Sequence, residues 1–374
     1  MKKMLLSLWL CLSFMIMSIS QALAVSYDTS QLDLAFEKAI AYYQNNNKLE
    51  DPDQIIAVEA LGLEAEDGFD VIDLKNQDFQ NLDLGGLCKS IIALTLMGED
   101  PYHINGVNTV DILNSYIHED GSIQNSYGSS SDIWVLLTLE SVNSDKVELV
   151  ADHLATTLDD YNAFWYEYNG KISDPAITGW GIEALSIANA QKYQETIQKA
   201  IGYLRTTLYA DGSFKASDDY NADGDTQACV LEGLFVADQS QLLNGMYDQE
   251  NGDPIDVLLS FQLEDGSFKM ANWSTGEYEF NSYTTLEGAR CLGTYKNGSF
   301  VIKAQKTYAK INQNETPEET KDLQNKLPQV ENIVEKEEKK KVVNTGDEGL
   351  MLYLYGLVVV SGILFIVKRY EKNS

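Results

Sequence analysis

The chain has 374 residues, a formal net charge of −30 and 10% aromatic residues. So acidic a surface repels phosphate, which excludes nucleic-acid binding, a task that needs Lys and Arg gathered on one face. It attracts cations and keeps the chain soluble, but identifies neither fold nor reaction.

At the N-terminus, Lys2 and Lys3 precede a nearly continuous apolar run from Met4 to Ile19, followed by Ala22-Leu23-Ala24. These three parts predict a secretory signal over 1–24, cut after Ala24. Of four cysteines, Cys11 leaves with the signal; Cys88, Cys229 and Cys291 remain, far apart in apolar stretches. An odd number so placed reads as small core residues rather than a disulfide framework.

Residues 25–312 can bury a large core. A first helix is expected around Leu34–Tyr43. Asp-Gly-Ser followed by an apolar residue then recurs at Asp120–Ile123, Asp211–Phe214 and Asp265–Phe268, with Asn169-Gly170-Lys171-Ile172 as a weaker copy. The copies lie roughly 40 to 55 residues apart, room for two helices and their turns. Gly permits the reversal, Asp bonds its own backbone, and the apolar residue returns to the core. Helix-like segments precede each phrase at Val110–Ile117, Ile197–Leu208 and Ile255–Gln262. Further helices follow at Asp132–Leu137, Thr178–Ala188, Asp225–Val236 and Asn281–Leu292. This second set is apolar nearly all round, which predicts burial. The Asp or Asn before or within each suits an N-cap.

Residues 313–341 are rich in Glu, Lys, Asn and Gln and read as a solvated stalk. Within 342–374, Leu350–Val367 is uncharged and would span about 27 Å as a helix, close to the bilayer core. Lys368, Arg369 and Lys372 place the tail inside the cell and the domain outside.

Two resemblances follow from these residues. Thr345-Gly346, an apolar span and a basic tail resemble the sorting signal of Gram-positive surface proteins. That implies sortase cleavage between Thr345 and Gly346, although Val342-Val343 stands where that family has Leu-Pro. A simple single-pass anchor fits the same layout. The repeat over residues 30–310 resembles the α/α toroid of protein prenyltransferases, squalene and terpene cyclases and complement thioester domains. It implies an all-α fold of about twelve helices in six hairpins, an inner ring within an outer one.

The catalytic sets of those families are not matched. A zinc prenyltransferase needs an Asp, a Cys close after it and a later His; the nearest pair, Asp225 and Cys229, is too widely spaced, and His103, His118 and His153 all come earlier. The Asp-x-Asp-Asp of cyclases and the Gly-Cys-Gly-Glu-Gln of thioester domains are absent. The leading expectation is therefore a non-catalytic domain binding an extracellular ligand or protein, a glycan included. The alternative is a carbohydrate-active or lipid-modifying enzyme on the same ring, with paired carboxylates and aromatics. For either, the candidate residues are Asp132, Trp134, Trp165, Tyr166, Trp180, Glu183, Asp225 and Glu232. No cofactor is expected, with one candidate exception. Asp219, Asn221, Asp223 and Asp225 match the first half of a calcium loop, but Val230 occupies its twelfth position and a capping loop explains the same residues.

Overall fold

The computed structural model describes residues 26–217, 221–272 and 275–314. The signal with Ala24, most of the stalk, and the anchor with Thr345, Gly346 and 350–367 lie outside them. Among the described residues no helix is long and apolar enough to cross a membrane.

The described chain is predominantly helical. Its helices are α1 (Ser30–Asn45), α2 (Pro52–Ala60), α3 (Leu84–Leu96), α4 (Thr109–Asn114), α5 (Ser129–Ser141), α6 (Val147–Leu154), α7 (Pro175–Asn189), α8 (Gln194–Thr207), α9 (Gly224–Ala237), α10 (Gln239–Leu243), α11 (Pro254–Ser260), α12 (Ser282–Asn297) and α13 (Phe300–Asn314). Three two-stranded ribbons, which the helical reading did not anticipate, pair β1 (Lys48–Leu49) with β2 (Asp70–Val71), β3 (Trp165–Glu167) with β4 (Lys171–Ser173), and β5 (Lys269–Ala271) with β6 (Tyr278–Phe280).

Six helices pack in a closed cycle: α2 on α3, α3 on α5, α5 on α7, α7 on α9, α9 on α12, and α12 back on α2. Their contacts advance in the same direction. Trp134 meets Trp180 while Glu140 acts on Glu183; Cys229 meets Glu287 while Glu232 meets Arg290 and Thr294. The six therefore run parallel, with their N-termini at one end. Polar caps start five of them: Asp51, Asp83, Asp174, Asp223 and Asn281 each accept an N–H from the first turn of α2, α3, α7, α9 and α12. The other helices pack outside, α4 on α3, α6 on α5 and α7, α8 on α7, α11 on α9, and α1 on α11 and α12.

The repeated phrase makes the return from outer to inner helix. In all three copies one Asp oxygen accepts both the backbone N–H and the hydroxyl of the Ser two residues on. In two of the copies the N–H of the apolar residue is met by a buried side chain of the next inner helix: Phe214 by Gln227, Phe268 by Thr285. Asn169-Gly170 is not a fourth copy; it is the turn of the β3–β4 hairpin. The fourth copy is Tyr161-Asn162-Ala163-Phe164, with the same backbone bonds, Asn162 at positive φ and the Phe164 N–H on Thr178.

Thirteen α-helices lie among the described residues, where about twelve were expected. α13 packs on α2, α3, α5 and α12, and its Lys303 reaches Glu59 and the carbonyl of Leu63 at the C-terminal end of α2. It covers the C-terminal end of the cycle, leaving the N-terminal end as the mouth. α4 also stops short of the expected Ile117, which instead bridges to Ile123 across the turn.

Candidate functional site

Each inner helix sends at least one charged or aromatic side chain toward the middle of the cycle, and these join into one cluster. Asp53 on α2 pairs with Lys89 on α3 at 2.8 Å. The Lys89 ammonium lies 5.1 Å from the Trp134 ring on α5, and Trp134 meets Trp180 of α7 edge-on at 5.6 Å. Arg290 on α12 stands 5.4 Å and 5.8 Å from those two rings and 5.7 Å from Phe300. Cation–π contact of this kind strengthens away from water, and Arg290 is 1% exposed.

Arg290 also holds two carboxylates. It donates from Nη2 and Nε to Glu232 on α9 at 3.0 and 3.3 Å, and Nη2 pairs with Glu287 one turn back on its own helix. One guanidinium cannot neutralise every acid present. Burial pushes Glu183 up to about 8, with the nearby Glu232 adding to the effect. Burial also raises Glu287 to about 7 although Arg290 pulls it down. Glu140 and Asp225 are raised well above the carboxylate range, again first by burial and then by Glu183 and Glu287 respectively. Both oxygens of Glu140 and of Glu183, the Trp180 indole N–H and one Asp225 oxygen are buried without a hydrogen-bond partner among the described residues.

Of the eight expected ligand residues, Trp134, Trp180, Glu183, Asp225 and Glu232 belong to this cluster. Asp132 is buried beside it on α5, 3.8 Å from His153, and burial raises it to about 6. Neither Asp132 nor Asp225 is a helix cap: Gly128 and Asp223 hold those positions, and both acids fall in the first turn. Trp165 and Tyr166 stand apart on β3, where the Trp165 indole donates to the Thr157 carbonyl and Lys171 covers its ring. The described residues of the calcium-loop expectation are placed as follows. Asp223 commits both oxygens to Thr226 as the cap of α9, Asn221 is exposed, and Asp225 turns to Cys229 and Glu287 instead; Asp219 lies outside the described residues.

Sequence reasoning missed Arg290, Glu287, Glu140 and Lys89. The signal was present: a charged residue within a helix apolar nearly all round has no solvated face to occupy, and buried charge needs a partner.

Around the mouth, the segments leading into inner helices carry exposed aromatic rings. Tyr127 precedes α5 and is 76% exposed; Tyr168 lies on the β3–β4 hairpin before α7 at 69%; Phe280 ends β6 before α12 at 51%. Tyr278 and Tyr283 flank Phe280 and are exposed too.

No protein-family model matches the chain, and no curated protein matches it. A solved crystal structure of a protein from Actinoplanes is 13% identical, covers 74% of this chain and 99% of its own, and superposes with a TM-score of 0.49.

Proposed function

We propose that the chain is a surface-displayed α/α toroid that binds an extracellular ligand at the mouth of its ring without turning it over. The closed cycle of six parallel helices with others packed outside supports the toroid. The secretory signal, the apolar span and the sortase-like Thr345-Gly346 support display on the outer face of the membrane or wall. The exposed aromatic rim carries the binding reading. Flat rings held on short hairpins offer stacking area at little entropic cost, and aromatic groups dominate recognition surfaces. The acids of the interior favour binding over catalysis. Glu232 and Glu287 are bound to Arg290 and shut from solvent, so a substrate does not touch them. The enzyme alternative draws on Asp132, whose raised value and His153 neighbour suit proton transfer.

A glycan array probed with the full chain, followed by product analysis of each hit, tests the proposal. Tyr168→Ala and Phe280→Ala are expected to weaken binding at least tenfold with unchanged melting, and no hit should be converted. Turnover of a hit, or undiminished binding by both variants, overturns it.

A further inference from the structure

We propose that a hollow between the C-terminal end of α1 and the loop after α2 binds a sugar carrying a free amine, a protonated hexosamine. The hollow encloses about 520 Å3, within the range of about 300–1,000 Å3 that small-ligand sites occupy. Gln44 and Asn47 line it from the α1 side, and Glu64, Asp67 and Phe69 line it from the loop. The rim residues Tyr127, Tyr168 and Phe280 do not line it, so this is a second site, separate from the mouth.

Backbone bonds hold the two walls together and leave the side chains free. Along the parallel ribbon β1–β2, Asp70 donates its N–H to the Asn47 carbonyl at 2.8 Å and Ile72 donates to that of Leu49 at 2.8 Å. Asn47 Nδ2 donates to the Gly68 carbonyl at 3.2 Å, which orients the amide and leaves its oxygen to accept. Gly68, at φ 88°, has nothing within 4 Å of its would-be Cβ, so the loop presents bare backbone to the hollow. The side chains of Gln44, Glu64 and Asp67 have no hydrogen bond or ion pair among the described residues.

The chemistry of these groups selects the ligand. Ionised carboxylates only accept hydrogen bonds, and an amide both accepts and donates, so the site calls for a ligand rich in O–H and N–H groups. No Lys or Arg lines the hollow, so a carboxylate or phosphate finds no counter-charge there. An ammonium does, in a chain whose net charge of −30 already draws cations. Glu64 also borders a smaller hollow of about 350 Å3 with Lys306 and Lys310 on its wall, so Asp67 is the carboxylate that holds the amine. Phe69, partly buried, offers an apolar face to the flat side of a pyranose. A lysine tail would satisfy the carboxylates but leave both amides and the aromatic face unused, which favours a sugar over a basic peptide.

Calorimetry on the full chain with a glucosamine tetramer, its N-acetylated counterpart and oligolysine tests the site. Each titration is run on the unaltered chain and on the Tyr168→Ala/Phe280→Ala variant, which separates this site from the rim. We expect the glucosamine tetramer to bind both proteins and the rim variant to bind the N-acetylated tetramer at least tenfold more weakly. Asp67→Asn, added to the rim variant, should weaken the glucosamine tetramer at least tenfold with unchanged melting. Failure of the rim variant to bind the glucosamine tetramer, equal affinity for the acetylated one, tighter binding of oligolysine, or undiminished affinity in Asp67→Asn overturns the proposal. None of these outcomes alters what a glycan array reads at the rim.

Discussion

Arg290 is the residue on which the interior depends. A guanidinium sealed from water costs several kcal/mol in desolvation, recovered only through close partners. Here those are Glu232, Glu287 and three aromatic rings. Arg290→Met keeps much of the volume but leaves two buried carboxylates without their cation. It is expected to destabilise the domain by about 3–5 kcal/mol in urea denaturation. Adding Glu232→Gln and Glu287→Gln should recover a large part of that loss, since neutral amides need no counter-charge. A triple variant no more stable than the single one would show that packing, not charge, makes Arg290 necessary.

Between elements, glycine sets the distance. A Cβ on Gly233 of α9 would run into the carbonyl of Gly179 on α7, and one on Gly179 into the carbonyl of Cys229. The two backbones touch, which is why α7 and α9 share the longest interface of the cycle. Neither carbonyl can give way without moving a helix, so Gly233→Ala should cost about 1–3 kcal/mol or more. Gly202 on the outer helix α8 is the contrast, with nothing within 4 Å of its would-be Cβ. Gly202→Ala should stabilise by about 0.5–1 kcal/mol through helix propensity alone. Thermal melts of the two variants shifting in the same direction would refute this division. A similar contact joins the last turn of the repeat to the first helix: Gly266, at φ 92°, lies against the backbone of Lys38 on α1.

Across the whole molecule, the excess of buried acid over buried base couples folding to protons. Glu183 on α7 faces Glu140 of α5, Glu232 of α9, and Glu287 and Arg290 of α12. In the folded state it holds its proton up to about pH 8, whereas the unfolded chain releases it near 4.5. The folded form therefore binds more protons throughout that interval, and stability must fall as pH rises through it. We expect the melting temperature to drop by roughly 5 °C or more between pH 5.5 and 8. Glu183→Gln, which cannot ionise, should flatten that slope. Melting that rises over the interval, or a slope unchanged in the variant, would contradict the coupling.

Much of the fold was legible in residue order. Asp-Gly-Ser-Phe marks its own turns because its hydrogen bonds are local, and helices apolar on all sides announce an inner set. Three of the returns and the segments of four inner helices follow from that. The fourth return escaped notice because Asn162 reaches positive φ without the Gly, and the hairpin turn at Asn169-Gly170 has the same chemistry for a different purpose. The site was half legible. Acids and tryptophans on inner helices could be named, but not which of them meet. Asp225 reaches Glu287 and Glu232 reaches Arg290 only because α9 and α12 lie side by side in one register. Trp165 and Tyr166, as aromatic as Trp134 and Trp180, fall outside because β3 lies on a hairpin. Local bonding is determined by neighbours in the chain, so the sequence alone settled the three Asp-Gly-Ser turns and four of the inner helical segments. Register between helices comes from long-range packing, and that decided which charges meet between the packed helices.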